Sequence, residues 1–296
     1  MRVNPDPTPD ILSAIWQTQS QAQTAMEQLS TGKRVNRPSD DPAASATEVQ
    51  NQAQEDRIDQ YLQSVSSLRS QFQTADSTLS SMVTSLNRAV TLGVEAGNSS
   101  LSPQNLQSIG QEALGVLDQL VQLANTTFHG SYIFAGTDTS QPPFTQAGGA
   151  ITYQGNNGIN QVAIADGRTL QSNVPGNQLF QASGGDVLGS VQQLVAAIQS
   201  GNTATIQAAT AGISSALNYL NGQRVFYGNG MDQLDDDTSA LKSTKLNLQA
   251  QDTALVGADP TQAAVDLSKA TTAHQAALAA AAKALSTTLL DYLPLG

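Results

Sequence analysis

Few side chains in this sequence stand where they could do chemistry. The two histidines, His129 and His274, are far apart, and neither has a partner at metal-ligand spacing. A base needs an orienting acid and a nucleophile in reach, and nothing local supplies that set. Asp235-Asp236-Asp237 has the charge for a cation but lacks the glycine and terminal glutamate of a calcium loop. It reads as a solvated helix face. Tyr227-Gly228-Asn229-Gly230 reads as a glycine-rich turn, and no strand precedes it as a nucleotide loop requires. Cysteine is absent, which excludes disulfides, thiol catalysis and thiolate zinc sites. The sequence therefore assigns no catalytic residue, no cofactor and no metal.

One cluster of charge remains. Lys33, Arg34 and Arg37 stand close to Asp40 and Asp41, with Pro38 and Pro42 among them. It can be a self-paired turn that caps the next helix, or a contact between subunits. Both readings stay open from the residues alone.

The elements that would position these groups are helical. The clearest signal is a seven-residue repeat: Ile58, Val65, Phe72, Leu79 and Leu86, with Tyr61, Leu68, Ala75, Met82 and Ala89 three residues later. This predicts a bundle core in a helix from about Ala43 to Ala96, roughly 80 Å long at ~1.5 Å per residue. Before it, Thr8 and Pro9 open a helix that Gly32 ends. That helix carries Leu12/Gln19/Met26 and Ile15/Ala22/Leu29, with Trp16 beside them. After it, Ser102-Pro103 opens a shorter helix, expected to run antiparallel to the long one.

From about Thr126 to Gln181 the heptads stop. Ala150–Tyr153 and Ile159–Ile164 flank Gly155-Asn156-Asn157-Gly158, which predicts a hairpin between them. Asp166-Gly167 marks a further turn. A small β-rich insertion is expected to project from the far end of a bundle and to lean on its helices. Helical patterns return over Asp186–Gln199 and Thr203–Leu220, then through Leu234, Leu241, Leu248 and Leu255. Asp259-Pro260, with Gln262 as a capping-box partner, opens a last helix carrying Leu278 and Leu285, with Leu289 and Leu293 alongside.

The expected fold is mainly α: a long antiparallel helical bundle or coiled coil built from the N- and C-terminal segments, with a small β-rich inserted domain. The expected organisation is terminal helices over 1-35 and 265-296 as an assembly segment, a helical bundle domain over 36-130 and 186-264, and the β-rich domain over 131-185. Leu12, Ile15, Trp16, Leu29, Arg34, Leu278, Leu285, Leu289 and Leu293 are the candidate assembly interface, because an isolated pair of terminal helices has little else to pack on.

Composition agrees with a subunit of this kind. Charged residues are 12% and aromatics 4%, so a thick aromatic core is not expected. Net charge is −11 and pI about 4.4, against nucleic acid and anionic membranes alike. No apolar run approaches the ~18 residues of a transmembrane helix. The start of the chain lacks the apolar segment of a cleaved signal peptide.

The stretch Leu29-Ser30-Thr31-Gly32-Lys33-Arg34-Val35-Asn36-Arg37-Pro38-Ser39-Asp40-Asp41-Pro42-Ala43 resembles the N-terminal signature of the flagellin family. So do Leu123–Thr127 leading into Tyr132-Ile133-Phe134-Ala135-Gly136-Thr137 and Pro143-Phe144, and Tyr153-Gln154-Gly155-Asn156 followed by Val174-Pro175-Gly176. The C-terminal run His274–Leu278 to Ser286–Leu293 completes the set. Pro38 and Pro42 resemble the branch of the family that joins hook to filament. The first ten residues and the ending Pro294-Leu295-Gly296 depart from the family's usual termini.

The resemblance implies a structural, non-enzymatic component of the bacterial flagellum. It implies export through the type III apparatus without a cleaved signal, an extracellular location, and terminal helices that order on assembly. The implied partners are copies of itself, neighbouring hook-associated protein and flagellin subunits, and a flagellar export chaperone. The alternatives are a filament subunit, a cytosolic coiled-coil scaffold, and a secreted binding or hydrolytic protein that uses the β insertion.

Overall fold

The structure is a computed structural model that describes residues 8–147 and 149–290, with side chains over 9–147 and 149–283. Among the described residues, seven helices and six short strands follow in order. They are α1 (Thr8–Thr31), α2 (Pro42–Ala96), α3 (Pro103–Ala124), β1 (Thr127–Phe128), β2 (Ser131–Tyr132), β3 (Phe144–Ala147), β4 (Ala150–Tyr153), β5 (Gln161–Ala165), β6 (Arg168–Gln171), α4 (Gly176–Phe180), α5 (Val187–Ser200), α6 (Thr203–Val256) and α7 (Pro260–Leu290). The fold is mainly α with a small insertion of antiparallel strand pairs. Two compact units form, Met1–Arg57 with Ser243–Gly296, and Ile58–Lys242.

In the unit Ile58–Lys242, the heptad of α2 forms the core. Val65, Phe72, Leu79 and Leu86 are fully or almost fully buried, and Ile58 is buried at the start. Leu68, Ala75, Met82 and Ala89 share that face. α6 runs antiparallel to α2. Arg69 pairs with Asp235, and Arg224 grips Asp76 through two bonds of 2.8 and 3.1 Å. Arg88 pairs with Glu112 across to α3. Ser102 caps α3 by accepting from Asn105 N, and Pro103 fills its first position.

α6 is one helix of 54 residues, so Tyr227-Gly228-Asn229-Gly230 is helix and not a turn. The reason is packing. The Phe72 ring lies against the bare backbone of Gly230, where a Cβ would overlap it. Phe226 and Tyr227 close on the same ring, at 5.8 and 5.4 Å between centroids. Burial of these aromatics outweighs the ~1 kcal/mol per glycine lost in helix propensity.

The strands make three separate pairs, β1–β2, β3–β4 and β5–β6, all antiparallel. The hairpin predicted across Gly155–Gly158 does not form. β4 pairs back on β3, with Ala150 opposite Ala147, and β5 turns on β6 at Asp166-Gly167. The segment between β4 and β5 is a loop held by Asn156, whose Oδ1 accepts from Thr137 N and Gly158 N, each at 2.9 Å. Asn156 thus caps a loop, which is the other use of a short amide side chain.

A small aromatic core fills this region. Phe180 meets Phe134 at 5.1 Å and Phe144 at 5.7 Å, and Tyr153 lies 5.1 Å from Phe144. The insertion does not project from the far end. It leans on the flank of the helices: Gln71 donates to Ser172 O, Tyr219 donates to Gln178 O, and Arg168 pairs with Asp237 at 2.6 Å. Asp237 is therefore buried, at 4% exposure, and is not part of a solvated face.

Candidate assembly surface

The other unit holds α1, α7 and the adjoining ends of α2 and α6. α1 and α7 pack against each other through a narrow seam, in which Ile11, Ile15 and Leu267 stand among smaller or polar residues. Along α1 the partly or fully buried stripe is Ile11, Ile15, Thr18, Ala22 and Ala25. Along α7 it is Ala263, Leu267, Ala270, His274, Ala277 and Ala281. Both follow the alternating four–three spacing of a coiled-coil seam. At mid-seam, Thr18 Oγ1 lies 3.1 Å from His274 Nδ1. The Thr18 hydroxyl also lies within bonding distance of the carbonyls of Ala14 and Ile15.

The other large apolar side chains point the opposite way. Leu12, Trp16 and Met26 are 54%, 69% and 61% exposed, and Leu29 and Leu278 are exposed too. Leu12, Trp16, Gln19, Gln23 and Met26 form a second stripe, one position on from the seam. Of the expected interface, Ile15 faces α7 and is half-buried, while Leu12, Trp16, Leu29 and Leu278 face solvent. Leu285 and Leu289 lie on the helical backbone of α7, but their side chains, and all of Leu293, lie outside the described residues.

Arg34 has a different place. It belongs to an elbow that joins α1 to α2. Gly32 ends α1 at φ +69, the left-handed conformation a glycine takes without strain. Asp40 Oδ2 accepts from Asn36 N and Arg37 N, and Asp41 Oδ1 accepts from Ala44 N and caps α2. Arg34 donates to Asp41 Oδ2 and to the carbonyl of Leu255, the latter at 2.9 Å.

The elbow also pairs backbone to backbone with the turn between α6 and α7. Arg34 N donates to Val256 O at 2.7 Å, and Ala258 N donates to Gly32 O at 2.9 Å, around a bridge of Lys33 with Gly257. No sequence pattern announces this bridge, which joins residues over 200 positions apart. Lys33–Glu48 and Arg37–Glu27 add ion pairs at the rim. The Ala44 amide and the Arg34 guanidinium both hold the Asp41 carboxyl below its ordinary range. Asp259 opens α7 by accepting from Thr261 N and Gln262 N, while the Gln262 side chain reaches forward to Asp266 instead of back to close a capping box.

Among the described residues no cluster could hold a metal ion, and no helix is long and apolar enough to cross a membrane. Residues 8–139 match the family model of the bacterial flagellin N-terminal helical region, and residues 210–293 match that of the C-terminal helical region. Together they cover well over half of the chain. It belongs to the bacterial flagellin family.

Within that family, the flagellin-type chain is 37% identical over 173 residues to the flagellar hook-associated protein 3 of Salmonella typhimurium. The alignment takes in 58% of this chain and 54% of that protein, so it spans about half the length of that relative. Two solved structures share its fold. A flagellar hook-associated protein from Vibrio parahaemolyticus matches with a TM-score of 0.68 and 23% identity, over 73% of this chain and 99% of that one. Bacillus cereus FlgL matches with a TM-score of 0.60 and 25% identity, over 69% and 99%. The N-terminal model takes in α1 and its end of the elbow, and the C-terminal model takes in α7.

Proposed function

We propose that this chain is a structural component of the bacterial flagellum that joins hook to filament and does no chemistry. It assembles with copies of itself and with neighbouring hook-associated protein and flagellin subunits, through the outer faces of α1 and α7. The interface comprises Leu12, Trp16, Leu29 and Leu278, with Ile15 inside the seam and Leu285, Leu289 and Leu293 extending it. Arg34 serves it indirectly, by setting the elbow. The chain is exported to the extracellular flagellum without a cleaved signal and is escorted by an export chaperone.

The observation that supports this reading most is the second apolar stripe on the outer face of α1. Ile11, Ile15, Thr18, Ala22 and Ala25 face α7, while Leu12, Trp16, Met26 and Leu29 face water. Burying one such large side chain contributes roughly 1.5–3 kcal/mol. Docking this outer stripe on a neighbour would add burial that the seam alone does not supply. The name of the Salmonella typhimurium relative favours the junction over the filament itself.

Disrupting the gene should leave cells with hooks and no filaments under the electron microscope, and the unaltered gene should restore them. Complementation with the Leu12→Ser, Trp16→Ser double variant should fail although the variant is made and exported. Filaments on the disrupted strain would overturn the junction role. So would a copy number per flagellum as high as that of the filament subunit.

A further inference from the structure

A cleft of about 300 Å³ lies between the β1–β2 hairpin, α2 and the loop Ser172-Asn173 that follows β6. That is at the lower end of the range of about 300–1,000 Å³ for small-molecule sites. It belongs wholly to the unit Ile58–Lys242, and nothing in the assembly reading uses it. Its floor is built and fixed. Asn173 is 3% exposed, and its amide donates to Gly158 O at 3.0 Å and Gly136 O at 3.2 Å while Oδ1 accepts from Asn160 N at 2.7 Å. Ser172 beside it is buried, and its carbonyl accepts from Gln71. The side-chain amide of Asn173 is fully satisfied, so the floor holds its shape without a ligand.

The walls differ from the floor. Ser67, His129, Ser131, Tyr132 and Thr139 line the cleft, and none of their side-chain polar groups hydrogen-bonds a protein group among the described residues. Four are hydroxyls, which both donate and accept. Ser67 comes from α2 and the others from the insertion, so these groups converge from separate elements. His129 stands at φ +51, in the left-handed region, at the tip of the β1–β2 turn. Its ring stacks on Phe128 at 4.1 Å, which sets a flat apolar plate at the rim. No Asp, Glu, Lys or Arg lines the cleft.

Each feature narrows the ligand. The uncharged lining gives no counter-charge to a phosphate, a carboxylate or an ammonium group. Neutral hydroxyls around the wall match a ligand that carries its own hydroxyls in several directions. An aromatic plate matches the C–H face of a saturated ring. We infer that this cleft binds a neutral carbohydrate, of the size of a hexopyranose, with the ring face on Phe128–His129 and its hydroxyls on Ser67, Ser131, Tyr132 and Thr139.

The test uses the full chain, labelled with ¹⁵N, and two probes at millimolar concentration: methyl α-D-mannopyranoside and methyl β-D-galactopyranoside. At least one should give saturation transfer and shift the amides of residues 128–139. Ser67→Ala and Tyr132→Phe, each checked for an unchanged melting temperature, should each weaken that binding at least threefold, and together at least tenfold. Ser67 is exposed on α2, so its variant retains the fold even if Tyr132→Phe does not. Four results overturn the inference: no shift at residues 128–139 with either sugar, shifts that survive both substitutions, tighter binding of inorganic phosphate, or tighter binding of an unstructured glycine–serine peptide.

Discussion

The guanidinium of Arg34 donates to the carbonyl of Leu255, 221 residues further along the chain. With its second bond to Asp41, this side chain touches the last turn of α6 and the cap of α2 at once. Both bonds leave one Nη of a planar guanidinium whose directions are fixed, whereas the shorter, freely rotating ammonium of a lysine is less well placed for the pair.

Arg34→Lys should therefore behave nearly like Arg34→Ala. The side chain is half exposed, so the loss of stability should be small, about 0.5–1 kcal/mol. The local effect should be larger than the global one. Hydrogen exchange of the amides of Arg34 and Ala258 should quicken in both variants, with the core of α2 unchanged. Unaltered protection at Ala258 would mean that the backbone bridge holds without the side chain.

The glycines of α6 should separate by sign. Gly222 and Gly228 have open space where a Cβ would go, while Gly230 has the Phe72 ring. Gly222→Ala and Gly228→Ala should each stabilise by roughly 0.5–1 kcal/mol. Gly230→Ala should destabilise, because it forces the ring out of its place. Phe72→Ala should cost about 3–5 kcal/mol. Denaturant unfolding gives all four, and stabilisation by Gly230→Ala would contradict the packing described.

Acid and alkali should act on different residues. The Asp41 carboxyl titrates below its ordinary value, so its cap is fully present above the unfolded value near 3.8 and is lost only as pH falls through the lower folded one. Burial pushes the Tyr227 phenol up from its ordinary 10. Its contribution is fully present below pH 10 and is lost as pH rises towards the folded value. Melting measured from pH 3 to 11 should thus show an alkaline decline that Tyr227→Phe flattens, and Asp41→Asn should matter equally at pH 5 and pH 7.

Trp16 is the only tryptophan, so intrinsic fluorescence reads one position. In the isolated chain it is 69% exposed and should emit as an indole in water. Assembly through the outer face of α1 should shift that emission to the blue, and Met26→Ser should weaken the shift. An emission maximum that stays constant through polymerisation would place the interface elsewhere.

The helices were legible because α2 repeats large apolar residues every seven positions over a full face. The face of α1 was not. Leu12/Gln19/Met26 and Ile15/Ala22/Leu29 have the same period, and only α7 decides which one turns inward. Strand pairing was misread for a similar reason. Asn157-Gly158 and Asp166-Gly167 are equal turn signals, and which forms a hairpin depends on Asn156 holding Thr137 nineteen residues away. Asp237 looked like solvated charge because Arg168, which buries it, is 69 positions distant. The flagellin signature was read from short motifs, while the cleft beneath β1–β2 left no trace in sequence, since its walls come from separate elements.

The bridge between Lys33 and Gly257 has a mechanical side. A single chain leaving a helix is a swivel: it bends freely and passes on little twist. At this elbow two antiparallel strands leave together, cross-tied through backbone amides and by Arg34. A double strap of this kind resists winding, so rotation applied to the α1–α7 pair is handed on through the backbone instead of being lost at a loose joint.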